Sequence, residues 1–323
     1  MQVAVAGGPT PGFAGEGSST LCVNSLFEEP WWLEAVAPDS WSACEVERDG
    51  QIAARLPYTT CKRHGLVMIT RPPFTPALGP WVRAPEVDDT TARRALLVEL
   101  VGRLPACDYL EHSLSPAVTD WLPFFWTGFD ATVRYSSRLD RLDDPDLLEA
   151  GLTTAARRSL RKARSLVEVR DDFGIETMYQ LVETTFRRQG PPPPWSFEQL
   201  TRLDEACAAH GARRMSFAVD RAGAVQASAY FVFDKGLTYY LFGGATAAGR
   251  AARAQSLLMW DGIGFAATVS QGFDFEGSMI EPIERFFRSF GARQVPYFIV
   301  RRTSRRAKLL FGLRDVAHAV RGR

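Results

Sequence analysis

The chain has 323 residues, with 38 Lys and Arg set against 37 Asp and Glu, 46% apolar and 23% charged residues, and a net charge of +1. These proportions exclude intrinsic disorder and a coiled coil, and the length suits two domains of ~100–200 residues. A near-zero sum excludes a uniformly basic protein, although a sum can hide patches.

The cysteines at 22, 44, 61, 107 and 207 form no CxxC pair and no ligand cluster. Sparse, odd-numbered thiols in a long chain read as small core residues in a reducing compartment. Residues 1–25 lack a basic n-region and a sustained apolar run, so they read as a loose leader, not a signal peptide. The longest weakly charged stretch, 254–273, is interrupted by Asp261, Gly262 and Gly264 and reads as a buried helix, not a membrane span. A cytoplasmic location is expected.

In chain order, 43–48, the Asp49-Gly50 turn and 51–60 form a hairpin pattern, followed by a strand at 66–70. A Pro-rich loop runs from Arg71 to Trp81. A helix is predicted over 88–103, capped by Thr90 or Thr91, with Leu96, Leu97 and Leu100 on one face. Strands near 108–113 and 131–139 complete the first half, in which Trp31 and Trp32 read as core anchors. The second half begins with a basic helix over 149–165 and a helix over 173–188. A third helix over 196–210 opens with the capping-box pair Ser196 and Gln199. Strands at 214–220, 225–234 and 237–243 follow, then a helix at 254–267, a strand at 273–276, a helix at 281–290 and a strand at 294–301. Antiparallel hairpins mixed with crossover helices, repeated in similar order, predict an α+β fold occurring twice. The expected boundaries are 26–145, 146–308, and a basic tail at 309–323 that packs back on the first domain.

Several chemistries have no motif here. There is no GxSxG elbow, no P-loop, no HExxH and no GxGxxG, and HxxxD fails at all four histidines. No metal site is expected. What remains is chemistry done by positioning and oriented dipoles on a reagent that arrives activated.

Tyr239-Tyr-Leu-Phe-Gly-Gly-Ala-Thr, followed by Ser256-Leu-Leu-Met-Trp260, resembles the central strand and following helix of the GNAT acyltransferase fold. Phe273-Asp-Phe-Glu-Gly-Ser-Met-Ile, Phe286-Phe-Arg-Ser-Phe-Gly-Ala292 and Tyr297 are similar to its FemAB-like (Fem-type aminoacyl transferase) branch, as are Pro76-Ala-Leu-Gly-Pro-Trp81 and Ala156-Arg-Arg-Ser-Leu-Arg-Lys-Ala163. The resemblance spans about 28–308 and implies two tandem GNAT-like domains, each a mixed, mostly antiparallel sheet flanked by helices, with a cleft between them. It also implies amide formation by an aminoacyl group moving from a charged tRNA to the amine of a small-molecule or peptide acceptor, with no covalent enzyme intermediate. Ordinary GNAT enzymes use acyl-CoA, cradling its pyrophosphate in a glycine-bearing loop. Here the loop reads Arg250-Ala-Ala-Arg-Ala-Gln255, with Arg253 at the first glycine's place, which favours aminoacyl-tRNA as co-substrate without another cofactor. Phe286-Phe287 stands where the branch often has Phe-Lys, so a lysine implied in donor binding is absent; Arg288 or Lys308 could substitute for it. The alternatives are an N-acetyltransferase using acetyl-CoA or an acyl carrier, and a non-catalytic tandem-GNAT binding protein.

Local counting locates the hidden charge. Residues 157–170 hold six basic residues and one acid, and 291–323 hold nine and one, leaving −12 for the rest. Such runs suit phosphate-backbone contact, with a solvated surface as the plain alternative. Arg157, Arg161, Arg253, Arg288, Arg302, Arg305, Arg306 and Lys308 are the candidate donor and tRNA contacts. tRNA is the expected partner, with no DNA and no membrane span.

Asp274 and Glu276 alternate with Phe273 and Phe275, so both acids point to one face of their strand. Charges there are expensive unless paired or functional. Glu276 orients the acceptor amine or accepts its proton, unless it pairs with Arg285 or Arg288. Tyr239 or Tyr240 supplies a hydroxyl donor, the other facing the opposite side. Phe74, Trp81, Ser278 and Tyr297 are the expected acceptor-cleft residues, and 191–195 is a rim loop or a rigid connector.

Overall fold

The computed structural model describes residues 22–83, 86, 88–190 and 192–311. The expected leader up to residue 21 and the tail beyond 311 lie outside the described residues. After a 3-10 turn at Leu26–Glu28 comes α1 (Pro30–Val36). Strands β1 (Trp41–Arg48) and β2 (Gln51–Arg63) form the hairpin, turning at Asp49 and Gly50 with φ of 54° and 72°. Positive φ at both central residues is what a two-residue hairpin with matching twist demands. Then come β3 (Leu66–Thr70), β4 (Trp81–Val82) and α2 (Thr90–Arg103). The cap of α2 is Asp89, not Thr90 or Thr91: its carboxylate accepts the N–H groups of Thr91 and Ala92. The first half continues with β5 (Tyr109–Ser113), the short α3 (Leu122–Trp126) and β6 (Asp130–Leu139).

The single basic helix expected over 149–165 is two helices, α4 (Pro145–Gly151) and α5 (Thr154–Leu166). Thr153 breaks them, extended and accepting the Ala156 N–H as the N-cap of α5. Next are β7 (Val167–Arg170), α6 (Ile175–Gln189) and α7 (Phe197–Ala209), whose Ser196–Gln199 capping box is formed. Strands β8 (Arg213–Asp220), β9 (Val225–Phe233) and β10 (Leu237–Ala245) lead to α8 (Ala247–Ala252) and α9 (Ala254–Val269). The chain then forms β11 (Gly272–Asp274), α10 (Glu281–Arg288), β12 (Arg293–Thr303) and a helical stretch at 305–311.

Among the described residues, twelve strands form one mixed sheet in the order β1-β2-β3-β5-β12-β6-β11-β10-β9-β8-β7, with β4 added to β2. The last strand therefore lies inside the first half's sheet, antiparallel to β5 (Ile299 to Ser113) and to β6 (Val295 to Ser136). The two halves meet where β6 pairs with β11.

Helices cover both faces of the second half. Phe231, Phe273 and Phe275 pack with α5, α9 and α10, while Met215, Tyr230 and Val232 on the opposite face pack with α6 and α7. Trp32 and Leu33 join this second core, and Trp31 stacks on His210 at 4.3 Å. The two tryptophans therefore anchor the segment before β1 to the core of the second half against α7, while Trp32 Nε1 also donates to Thr75 Oγ1 of the first half at 2.9 Å. The strand expected over 273–276 stops at Asp274, since Glu276 and Gly277 both turn left-handed, with φ of 63° and 60°.

Candidate functional site

Strands β10 and β11 run parallel through three pairs and part after Tyr239–Asp274. Beyond it β10 shifts register against β9 between Tyr240 and Phe242. Such a bulge bends a strand and re-aims its side chains. A cavity of about 470 Å³ lies at this divergence, with Tyr239, Asp274, Glu276 and Tyr297 in its wall beside Ser136 and Arg138. A second cavity of about 440 Å³ is lined by Arg71, Phe74, Trp195, Leu241 and, again, Glu276. Four of the residues singled out from sequence, Tyr239, Asp274, Glu276 and Tyr297, thus share one wall, and Phe74 lies in the adjoining one.

Asp274 is buried and saturated. It accepts from Arg138 Nε and Nη2 at 3.1 and 2.9 Å, from Ser136 Oγ, and from the backbone N–H of Glu276 at 2.9 Å. With its acceptor sites occupied, it holds the turn that carries Glu276 and is not free to move a proton. A Cβ on Gly277 would lie 2.1 Å from the Tyr135 carbonyl oxygen, so only glycine lets the turn lie against β6.

The Glu276 carboxyl has no hydrogen-bond or ion-pair partner among the described residues; Arg285 and Arg288 pair with Glu281 and Glu284 instead. Burial, and then the Asp274 charge beside it, hold this carboxyl well above the usual carboxylate range, with Arg71 and Arg138 opposing. A carboxyl so displaced is a candidate for proton transfer.

The adjacent tyrosines divide between the faces. Tyr239 lies edge-on to Phe27 at 4.7 Å in the cavity wall, and burial keeps its hydroxyl protonated. Tyr240 faces α9, where its hydroxyl accepts from Gln255 Nε2 at 3.2 Å and burial raises it well above the ordinary phenol range. Tyr240 therefore lies outside the acid-bearing wall. Trp81 pairs on β4 with Arg55 and lines neither cavity, and Ser278 Oγ accepts the Ile280 N–H. Neither joins the cluster.

A third cavity, of about 710 Å³, lies between α5, α9 and α10, with Ser159, Ser256, Phe286 and Arg288 in its wall. Arg253, just before α9, holds a left-handed conformation with φ of 63°, so the backbone takes there the shape a glycine would give while the side chain stays exposed.

The basic windows do not meet: β6, β11, β10, β9 and β8 separate β12 from β7. On α5, Arg157 donates to the carbonyls of Glu149 and Ala150 at the end of α4, while Arg158, Arg161, Lys162 and Arg164 are exposed without an ion pair among the described residues. The other window is mostly engaged. Arg288 bonds Glu284 at 3.0 Å, Arg302 lies over the Phe129 ring at 4.6 Å, and Arg306 donates to the Gly65 carbonyl at 2.9 Å. Arg305 and Lys308 are exposed, and Phe311 packs edge-on against Tyr109.

Residues 152–278 match the family model described as an acetyltransferase (GNAT) domain. That span is a GNAT domain. Over most of its length the chain shares the fold of FemX, whose crystal structure aligns with a TM-score of 0.65 at 14% identity, covering 85% of this chain and 92% of that one. A conserved protein of unknown function from Bacteroides thetaiotaomicron VPI-5482 aligns at 0.54 with 11% identity, covering 84% and 88%. No curated protein sequence matches at a significant level. The GNAT domain makes the protein an acyltransferase, and the parting of β10 from β11 is the opening of its central sheet.

Sequence reasoning missed Arg138, Arg71 and Glu28. Glu28 is buried and accepts from the Asn24 and Gly79 backbone N–H groups at 3.0 and 2.7 Å, while Arg55 donates to its carbonyl. That clamp holds Asn24, Ser25 and Phe27 in the cavity wall. The signal for Arg138 was the alternation Arg134, Ser136, Arg138 along β6, polar at every second position of an interior strand. The exposed Cys61 departs from the expected core thiol; Cys44 and Cys207 are buried, and burial pushes them up to about 11 and about 12. Neither carries appreciable thiolate. Among the described residues no cluster of His, Cys, Asp or Glu could hold a metal, and no helix is long and apolar enough to cross a membrane.

Proposed function

We propose that this acyltransferase forms an amide by direct attack of an acceptor amine on an aminoacyl ester of tRNA. The observation that carries this reading is Glu276: an unpartnered carboxyl, raised by burial, in the wall of two cavities where the GNAT sheet opens. The acceptor amine gives a proton to Glu276 as its nitrogen attacks the ester carbon, and backbone N–H groups of the opened strand hold the developing oxyanion. The ester C–O bond then breaks, and the departing ribose hydroxyl takes a proton from the Tyr239 or Tyr240 hydroxyl or from water. No covalent enzyme intermediate is needed. The aminoacyl end enters from the α5–α9–α10 side, with the free cations of α5 beside it for the tRNA backbone. Apart from the charged tRNA, no cofactor takes part.

A second reading, acetyl-CoA as donor, is favoured by one observation. The α9 N-terminus has no side-chain cap, and Arg253 keeps a glycine-like backbone there, an arrangement open to a pyrophosphate. Incubation with labelled aminoacyl-tRNA, with and without RNase, against labelled acetyl-CoA separates the two. Product lost on RNase treatment supports the first, and CoA-dependent product the second. Consumption of neither donor would make the protein a non-catalytic binder. Glu276→Gln should lower turnover about 10²–10⁴-fold while leaving donor binding intact.

A further inference from the structure

The acceptor's chemical class can be read from the charges that face Glu276. Arg71 lies in the same cavity wall as Glu276, Phe74 and Trp195. Only its Nη1 is engaged, donating to the Pro76 carbonyl at 3.0 Å and reaching Ser113 Oγ at 3.5 Å. It forms no ion pair among the described residues, although a guanidinium has five N–H donors in a fork that fits a carboxylate. The other arginines lining the two cavities are spent: Arg138 on Asp274, and Arg293 on Asp140 at 2.8 Å. One free cation and one free carboxyl therefore face the same space. Phe74 and Trp195, with ring centroids 4.8 Å apart, give it an aromatic wall.

We propose that Arg71 holds a carboxylate of the acceptor while Glu276 holds its amine, so that the acceptor is an amino-acid-sized zwitterion whose side chain lies on Phe74 and Trp195. A single free guanidinium matches one negative charge, which favours a carboxylate over a doubly charged phosphate. The volume of about 440 Å³ accommodates a molecule of that size. This assignment rests on the proposed role of Glu276, and binding measured without any donor keeps the two separable.

The test is isothermal titration of the whole chain with L-phenylalanine, L-phenylalaninamide, 3-phenylpropionate and O-phosphoethanolamine. The native protein should bind phenylalanine at least about ten-fold more tightly than its amide, since each 1.4 kcal/mol of binding is ten-fold. Arg71→Met should erase that preference, and Arg71→Lys, which keeps the charge and guards against a folding defect, should retain part of it. Glu276→Gln should preserve the acid-over-amide preference but weaken phenylalanine toward 3-phenylpropionate. Equal binding of acid and amide, a preference surviving in Arg71→Met, tighter binding of phosphoethanolamine, or no binding of phenylalanine would each overturn the proposal. Loss of the amine preference in the native protein alone would instead remove Glu276 as the amine's partner.

Discussion

Replacing Asp274 by Asn separates a residue that holds the catalytic turn from one that moves protons. The substitution removes a buried negative charge and turns one acceptor oxygen into an NH₂ facing the Arg138 guanidinium, now 2.9–3.1 Å from that oxygen. Breaking a buried pair costs ~3–5 kcal/mol. Asn keeps one carbonyl for Ser136 or the Glu276 N–H, so the loss should fall near the low end, about 3 kcal/mol. That is within a typical total stability of ~5–15 kcal/mol, so the variant still folds, with Tm lower by roughly 6–12 °C on the ~2–4 °C per kcal/mol scale. The kinetic consequence is more specific. After burial itself, the Asp274 charge is the largest influence raising the Glu276 carboxyl. Removing it lowers that carboxyl's pKa, so the acidic limb of kcat/KM against pH should move to lower pH while remaining present. The assay is initial-rate acyl transfer across pH, with stability followed by thermal melting. An acidic limb that stays in place would refute the coupling of the two acids. Its disappearance would make Asp274 itself the base.

Other outcomes follow from the same charges. Glu276 has its native pKa above its unfolded value, so the native state holds the extra proton. Stability is therefore complete below the ordinary carboxylate range and falls as pH climbs through the native pKa. Glu276→Gln should match the native protein in acid and exceed it in alkaline melts, despite losing activity. His112 is buried, donates from Nε2 to the Leu78 carbonyl at 2.7 Å, and is pushed down by burial to about 4 from 6.5. The unfolded chain then binds the extra proton, so stability should fall by about 3 kcal/mol between pH 6.5 and 4; urea titrations of His112→Gln should lack that slope. Reversing Arg158, Arg161 and Lys162 to Glu should weaken tRNA retention on a filter and flatten its log–log salt dependence by about three units.

The acid-bearing strand end was legible because alternation decides faces without knowledge of partners: Phe273 and Phe275 had to enter the core, which left Asp274 and Glu276 together on the other side. What alternation could not say is that the strand stops between them. Glu276 takes a left-handed turn because a close approach to β6 demands it at Gly277, and that approach depends on a strand about 140 residues earlier in the sequence. The alternation along β6 marked the face of Arg138, but its partner Asp274 was out of reach for the same reason: pairing across β6 and β11 leaves no periodic trace. Tyr239 and Tyr240 were told apart only by the sheet. The short α3 lacks enough turns for a period, and Thr153 split a helix whose basic and apolar spacing looked continuous.

Charge counting located two basic windows, but the number of cations is a poor guide to which of them meets a polyanion. A guanidinium already bonded to a carboxylate must break that bond, or share it, before it neutralises a phosphate, so its net contribution shrinks. Arg293, Arg301 and Arg288 have such partners in Asp140, Glu111 and Glu284. Arg302 spends its face on Phe129, and Arg306 fastens residues 305–311 to the β2–β3 turn. The shorter window differs. The row on α5 has no acid within its helix, and its apolar side is fixed by Leu160 and Ala163 against α9. Four cations are thereby held outward on a rigid element beside the cavity between α5, α9 and α10, without a competing carboxylate. If RNA carries the donor, contact through α5 makes retention depend on four side chains, whereas within residues 301–308 only Arg305 and Lys308 could join without first giving up the contacts that Arg301, Arg302 and Arg306 make to the first half.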